Sequence, residues 1–173
     1  MQTNIKFIGI NSTYSLQDCI DYCKDKILLA VDTETEGFDF LNDRMTMFQI
    51  GDADVQFIID TRDINISDLK PILENPEITK ILHNAKFDYK FIKRWVGADL
   101  VCIYDTMLQE KILNCGKQAS VSLAETIKRR LDITLSKEAR NSFLELQGRT
   151  FTEAQLQYGA MDVLYLLDIR EKQ

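Results

Sequence analysis

Apolar positions run without a break from Ile27 to Val31, which predicts a central β-strand covered on both faces. A short extended segment, Ile5–Ile8, comes first. Between the two, Ser15–Lys24 places Leu16, Cys19, Ile20 and Cys23 at helical spacing. Thr46–Ile50 and Val55–Ile59 flank Gly51-Asp52-Ala53-Asp54, whose turn chemistry predicts a hairpin. Beyond that point helices and strands alternate. Ser67–Glu74 predicts a short helix, Ile81-Leu82 a short strand, and Ala85–Trp95 a helix with Asn84 as N-cap. Val101–Ile103 predicts another strand, followed by a helix opening at Asp105 and running to about Cys115, with Gly116 in the place of a C-cap glycine. Ser122–Leu131 predicts a further helix. A last one runs from Glu153 to the chain end, with Thr152 as N-cap and Gln155 completing a capping box. Three antiparallel strands followed by alternating helices and strands make a mixed α/β fold, a mixed sheet flanked by helices. No repeat, low-complexity tract or Pro/Gly-rich linker divides the chain, so residues 1–173 are expected to form a single domain.

Composition narrows the classes. Apolar content of 45% and charged content of 28% are those of a globular protein. No apolar stretch approaches the roughly 20 residues of a membrane span, and MQTNIKFIGI has no basic segment followed by a long apolar core. Cytoplasmic residence is the expectation. Reduced thiols are expected at Cys19, Cys23, Cys102 and Cys115, and with His83 the only histidine a Cys/His zinc site finds little support. The net charge of −6 argues against a polyanion partner until its distribution is considered. Basic residues Lys111, Lys117, Lys128, Arg129, Arg130, Lys137, Arg140 and Arg149 outnumber the acids between Lys111 and Arg149. That asymmetry fits a phosphate-attracting flank beside an acidic, metal-loaded site. Equally, Lys128-Arg129-Arg130 suits the C-terminal end of a helix, where the macrodipole favours cations.

The candidate chemistry lies in four acids at three places. Asp32 and Glu34 end the most apolar strand, and residues two apart on a strand point to one face, where both can meet one ion. Alternatively, a lone acid at the carboxyl end of such a strand serves to bind a ribose. Asp88 lies one turn into its predicted helix, where the dipole alone would stabilise it. Tyr158 and Asp162 stand i, i+4 on the last helix, on one face, as a simple hydrogen-bonded pair or as a phenol that orients water beside a metal. Hard oxygen ligands gathered in this way suit Mg²⁺ or Mn²⁺. No Ser–His–Asp arrangement supplies a nucleophile for covalent catalysis, and no Gly-x-Gly-x-x-Gly follows a strand to hold a nicotinamide cofactor.

Taken together, Asp-Thr-Glu-Thr at Asp32–Thr35, Asn-Ala-Lys-Phe-Asp at Asn84–Asp88 and Tyr-x-x-x-Asp at Tyr158–Asp162 resemble the DEDD family of 3′–5′ exonucleases in its tyrosine-containing branch. That branch includes ribonuclease D and the proofreading domain of DNA polymerase I-type enzymes. The resemblance runs from about Ile27 to the end and takes in Asp105-Thr106 and the stretch Leu135–Asp162. It implies a ribonuclease H-like mixed sheet and a two-metal-ion hydrolysis that releases nucleoside 5′-monophosphates from a 3′ end. It further implies that Asp32 bridges two divalent ions, that Glu34 and Asp162 complete the first, and that Asp88 supports the second through water. Tyr158 would place the attacking water, Asn84 would contact substrate near the scissile phosphate, and the Thr35 backbone would meet the 3′-OH. Phe38 is a candidate wedge against the terminal base or a core residue. Phe143 stands where many relatives carry tryptophan. Chain after Gln173 is usual in relatives, so the sequence is either a fragment or an unusually short member.

The expected substrate is a single-stranded or frayed DNA 3′ end, since HNAKFD and Asp105-Thr106-Met107 look more like proofreading domains. A polymerase domain, in the same chain or a separate one, is then the expected partner. RNA 3′-end processing of the ribonuclease D kind is the rival within the class, and a catalytically silent nucleic-acid-binding module is the rival outside it. Discrimination between the sugars depends on how a pocket meets the 2′-OH.

Overall fold

The computed structural model describes residues 3–134 and 150–173. Its central strand is β2 (Leu28–Thr35), preceded by β1 (Ile5–Ile8) and α1 (Leu16–Cys23). Leu29 and Val31 face one apolar cluster while Ala30 faces another, so the strand is buried on both sides as its composition predicts. It extends four residues past the apolar run because β3 (Met45–Gly51) continues the antiparallel ladder as far as Thr35, with a bulge between Glu34 and Thr35. The polar end of the strand that carries the acids is therefore held by backbone pairing rather than by apolar burial.

The hairpin of β3 and β4 (Gln56–Asp60) forms as expected. Among the described residues six strands form one sheet in the order β1-β4-β3-β2-β5-β6, where β5 is Thr79–Leu82 and β6 is Ile103–Asp105. β3 runs antiparallel to both of its neighbours, β2 and β4, β5 and β6 run parallel to β2, and β1 adds in parallel to β4. This is the ribonuclease H-like mixed sheet with one extra edge strand.

Local departures have physical causes. The helix expected over Ser67–Glu74 divides into a 3₁₀ turn, Ser67–Leu69, and α2, Lys70–Leu73. Pro71 has no N–H to donate to the Ser67 carbonyl, so the first turn tightens to the i to i+3 pattern, with Lys70 N–H bonding Ser67 instead. β6 starts two residues later than the apolar pattern suggests because Cys102 has φ +52°, which breaks the extended conformation. α3 (Ala85–Trp95) has the predicted bounds. α4 (Thr106–Leu113) ends before Cys115, at Asn114, and Gly116 follows with φ +80°. α5 (Leu123–Leu131) is capped by Ser122, and α6 (Glu153–Lys172) begins with the expected Thr152/Gln155 capping box. Cys19 and Cys23 pack in the core beneath α1, as their spacing implies. Phe143 and the bases Lys137, Arg140 and Arg149 lie outside the described residues.

Helices cover both faces. α1, α2 and α3 pack on the side of Leu29, Val31, Phe48 and Phe57. α6 crosses the other side, where Val163 and Leu166 meet Ala30 and Ile81, and its far flank meets α5 through Tyr165, Ile169 and Ile127. Contact with both the sheet and α5 spreads the apolar residues of α6 around the helix, which is why it shows little amphipathic character. Each of Val163 and Leu166, fully buried, contributes roughly 1.5–3 kcal/mol through removal from water. No described helix is long and apolar enough to cross a membrane.

Candidate metal centre

Asp32 and Glu34 occupy the carboxyl end of β2 on its α6 side, and Asp162 reaches the same place from α6. One carboxylate oxygen from each of the three lies within 4.8 Å of the others. Asp162 is almost wholly buried, and the other two are half-buried. Three like charges so close would repel strongly, and in a partly dry site the repulsion is weakly screened. The donors are all hard oxygens, so this set fits a divalent cation such as Mg²⁺ or Mn²⁺.

Asp88 lies on the other side of the strand. Thr33, between the two acids of β2, points the opposite way and donates its hydroxyl hydrogen to Asp88 Oδ1 at 2.7 Å. Asp88 is thus held by the same strand but stands outside the three-carboxylate cluster. Burial pushes its carboxyl well above the usual range, and the nearby Asp32 charge pushes it further, while the Thr33 bond opposes both. A cation at the cluster would oppose that shift, because its charge favours the ionised form. Tyr158 is half-buried one turn before Asp162 and packs among Met47, Ile58, Phe151 and Ala160.

Asn84 occupies the N-cap position of α3 but does not cap it. Its backbone is left-handed (φ +64°), its side chain is exposed, and it makes no capping bond. Asp105 does that work instead. Its carboxylate accepts from the N–H groups of Asn84 (3.1 Å) and Ala85 (3.0 Å) and, on its own helix, from those of Met107 (2.9 Å) and Leu108 (3.2 Å). One acid therefore satisfies the first turns of α3 and α4 together, which leaves the Asn84 side chain available. Next to it, Thr106 donates to the Leu82 carbonyl at 3.0 Å, so His83 Nδ1 carries the hydrogen in its 2.9 Å bond to Thr106. Burial lowers the His83 pKa and keeps the ring neutral.

The turn after β2 carries the remaining candidates. Thr35 Oγ1 donates to the Gly37 carbonyl at 2.6 Å. Phe38 is 81% exposed, so it is not a core residue, and it meets Phe87 edge-on at 6.2 Å. The basic run belongs to the helix rather than to a free phosphate-attracting face. Arg129 and Arg130 bind the buried Glu110 at 2.6 and 2.9 Å, and Lys128 pairs with Asp132 at 2.5 Å. Desolvation of Glu110 would raise its pKa, but Arg130, Gln173, Arg129 and Asn114 outweigh it and hold the carboxyl at about 2.

Two residues near the acids escaped sequence reasoning. Gly159 lets α6 lie close to β3: a Cβ there would stand 3.0 Å from Met47 Sδ and 3.1 Å from Gln49 Nε2. Gln49 itself is fully buried and pairs with Asp32 across the β2–β3 ladder. A long amide side chain among the mostly apolar positions of Met45–Ile50 was the available signal, but turn and strand patterns do not weigh it.

A ribonuclease H-like mixed sheet with three carboxylates gathered at the end of its central strand is the architecture of this chain. The 3′–5′ exonuclease family matches residues 7–172, and the chain belongs to that family. It is 31% identical over 157 residues to ribonuclease D of Pseudomonas paraeruginosa, covering 88% of this chain and 40% of that protein. It is 29% identical over 167 residues to DNA polymerase I of Aquifex aeolicus, covering 96% of this chain and 27% of that protein. The crystal structure of Escherichia coli RNase D, an exoribonuclease involved in structured RNA processing, matches with TM-score 0.81 and 28% identity, over 99% of this chain and 44% of that one. The chain thus spans less than half the length of each of these relatives.

Proposed function

We propose that this chain hydrolyses phosphodiester bonds stepwise from the 3′ end of a single-stranded nucleic acid, releasing nucleoside 5′-monophosphates. The observation that carries the proposal is the meeting of Asp32, Glu34 and Asp162 within 4.8 Å at the end of β2, with Asp88 buried behind the same strand. Asp32, Glu34 and Asp162 would hold one divalent ion, and Asp32 with Asp88 would hold a second. Mg²⁺ or Mn²⁺ held there supplies charge neutralisation at the attacked phosphate and its leaving oxygen. The chain's own groups do the rest. Tyr158 orients a water for in-line attack, Asn84 contacts the substrate beside the scissile phosphate, and the Thr35 backbone meets the terminal 3′-OH. The exposed Phe38, backed by Phe87, offers a face on which the terminal base stacks. The match over residues 7–172 supports one exonuclease unit spanning residues 1–173.

Relatives at 31% and 29% identity include a ribonuclease D and a DNA polymerase I, so RNA is at least as well supported as the DNA expected from HNAKFD. A proofreading role beside a polymerase domain and a ribonuclease D-like role are decided by the sugar that is accepted. The test uses 5′-labelled single-stranded DNA and RNA of equal sequence with Mg²⁺ or Mn²⁺, alongside Asp32→Ala, Asp162→Ala and Tyr158→Phe. Laddering from the 3′ end that is lost in both alanine variants is expected, and the faster substrate assigns the class. No laddering on either substrate would leave a silent binding module. A Tyr158→Phe variant at full rate would remove the role given to that phenol.

A further inference from the structure

Behind the acidic cluster sits a polar side chain that the proposed chemistry does not use. Gln49 is fully buried on β3, and neither its Nε2 nor its Oε1 has a hydrogen-bond partner. An amide in that condition carries an unrecovered desolvation cost, and native interiors rarely keep one without a use. Its surroundings are specific. In the β2–β3 ladder Gln49 stands directly opposite Asp32, and Met47 stands opposite Glu34, so the side chains of all four share one face. Directly opposite residues have Cβ atoms about 4.5–5.5 Å apart, within reach of a glutamine amide and a carboxylate. Above them α6 presents Gly159, and a Cβ there would stand 3.1 Å from Nε2 and 3.3 Å from Cγ of Gln49. The missing side chain at Gly159 is what leaves room for the amide, one residue after Tyr158 and three before Asp162.

We propose that Gln49 is a positioning residue for the cluster: when a cation binds, its unpaired Nε2–H turns to the Asp32 carboxylate from the protein side and fixes that group's orientation toward the cation. The inference rests on the cation-binding reading given above. A carboxylate oxygen turned away from an ion accepts hydrogen bonds, and an amide donor adds one there without adding charge. A neutral donor suits the place, since a lysine or arginine there would compete with the cation for the carboxylates. A donor on this side favours the carboxylate orientation that meets the cation, so its loss acts on cation affinity before it acts on stability.

Gln49→Met and Gln49→Leu remove the amide at nearly constant volume. The measurements are Mn²⁺ affinity from the electron paramagnetic resonance signal of free Mn²⁺ and the melting temperature of the cation-free protein. The expected result is a 10–100-fold weaker Mn²⁺ affinity, with a cation-free melting temperature equal to or above wild type because an unpaired buried amide has gone. Unchanged Mn²⁺ affinity in either folded variant would overturn the proposal. Failure of both variants to fold would also overturn it, by showing that the amide serves the core. If wild type itself binds no Mn²⁺, the cation-binding reading fails first, which separates the two.

Discussion

Gly159→Ala probes how α6 delivers Asp162 and Tyr158 to the end of β2. The added methyl would meet Met47 Sδ at 3.0 Å, Gln49 Nε2 at 3.1 Å and Gln49 Cγ at 3.3 Å. Ordinary contact lies at about 3.5–4.0 Å, so relief requires the helix to lift by roughly half an ångström or the two side chains to move. Overpacking of this kind costs about 1–3 kcal/mol, and the gain in helix propensity over glycine returns about 1 kcal/mol. The net loss of about 0–2 kcal/mol lowers the melting temperature by only a few degrees in a chain of this size. Activity is the more sensitive readout. A misplacement of about 1 Å costs on the order of a hundredfold, so half of that predicts roughly a tenfold fall in kcat. Ile169→Val, at the buried contact between α6 and α5, provides the control: about 0.5–1.5 kcal/mol of lost stability with kcat unchanged. The assay is release of mononucleotide from a labelled oligonucleotide at a temperature where both variants are fully folded. A Gly159→Ala enzyme with wild-type kcat, or an Ile169→Val enzyme equally impaired, would refute the idea that the close seat of α6 on β3 sets the site.

Other outcomes follow from the same geometry. Glu110 has its pKa held at about 2 against an ordinary 4.5, so its stabilisation is present above the ordinary value and disappears as pH falls from there through about 2. That depression corresponds to about 3 kcal/mol, and Glu110→Gln should lose most of it at pH 7 and flatten the acid limb of a urea-denaturation series. Asp105→Ala leaves first-turn N–H groups of two helices without their acceptor, at a cost of about 1–2 kcal/mol for each cap by chemical denaturation, and raises KM by releasing Asn84. Asp88 has a raised pKa, so its proton stabilises the cation-free protein below the ordinary carboxylate range, and that contribution is lost as pH rises through the raised value. The rise in melting temperature on adding Mn²⁺ should therefore be larger at pH 8 than at pH 5, and Asp88→Asn should melt higher than wild type without cation while responding less to it.

The legible parts of the chain were those set by local chemistry. The capping box at Thr152 and Gln155, the bounds of α3 and the β3–β4 hairpin depend on neighbours a few residues away, and each formed as read. Asp32, Glu34 and Asp162 converge as their motifs imply, because strand alternation and helix periodicity fix which face each occupies. What stayed hidden acts across long separations or through the backbone. Asp105 displaces Asn84 as the cap of α3 from 21 residues away. Cys102 delays β6 by adopting a positive φ that no apolar pattern encodes. Arg129 and Arg130 looked as suited to phosphate as to a helix end until buried Glu110 on α4 claimed both. Gln49 is a polar residue within a mostly apolar strand, and its meaning depends on Asp32 opposite and Gly159 above.

Where a divalent cation binds in this protein is the decisive measurement. Anomalous diffraction from crystals of the protein soaked in Mn²⁺ with a short oligonucleotide locates it without relying on turnover. A manganese peak about 2.1 Å from oxygens of Asp32, Glu34 and Asp162, facing the 3′-terminal phosphate, is the predicted result. Full occupancy elsewhere, with those three carboxylates free of metal, would contradict it.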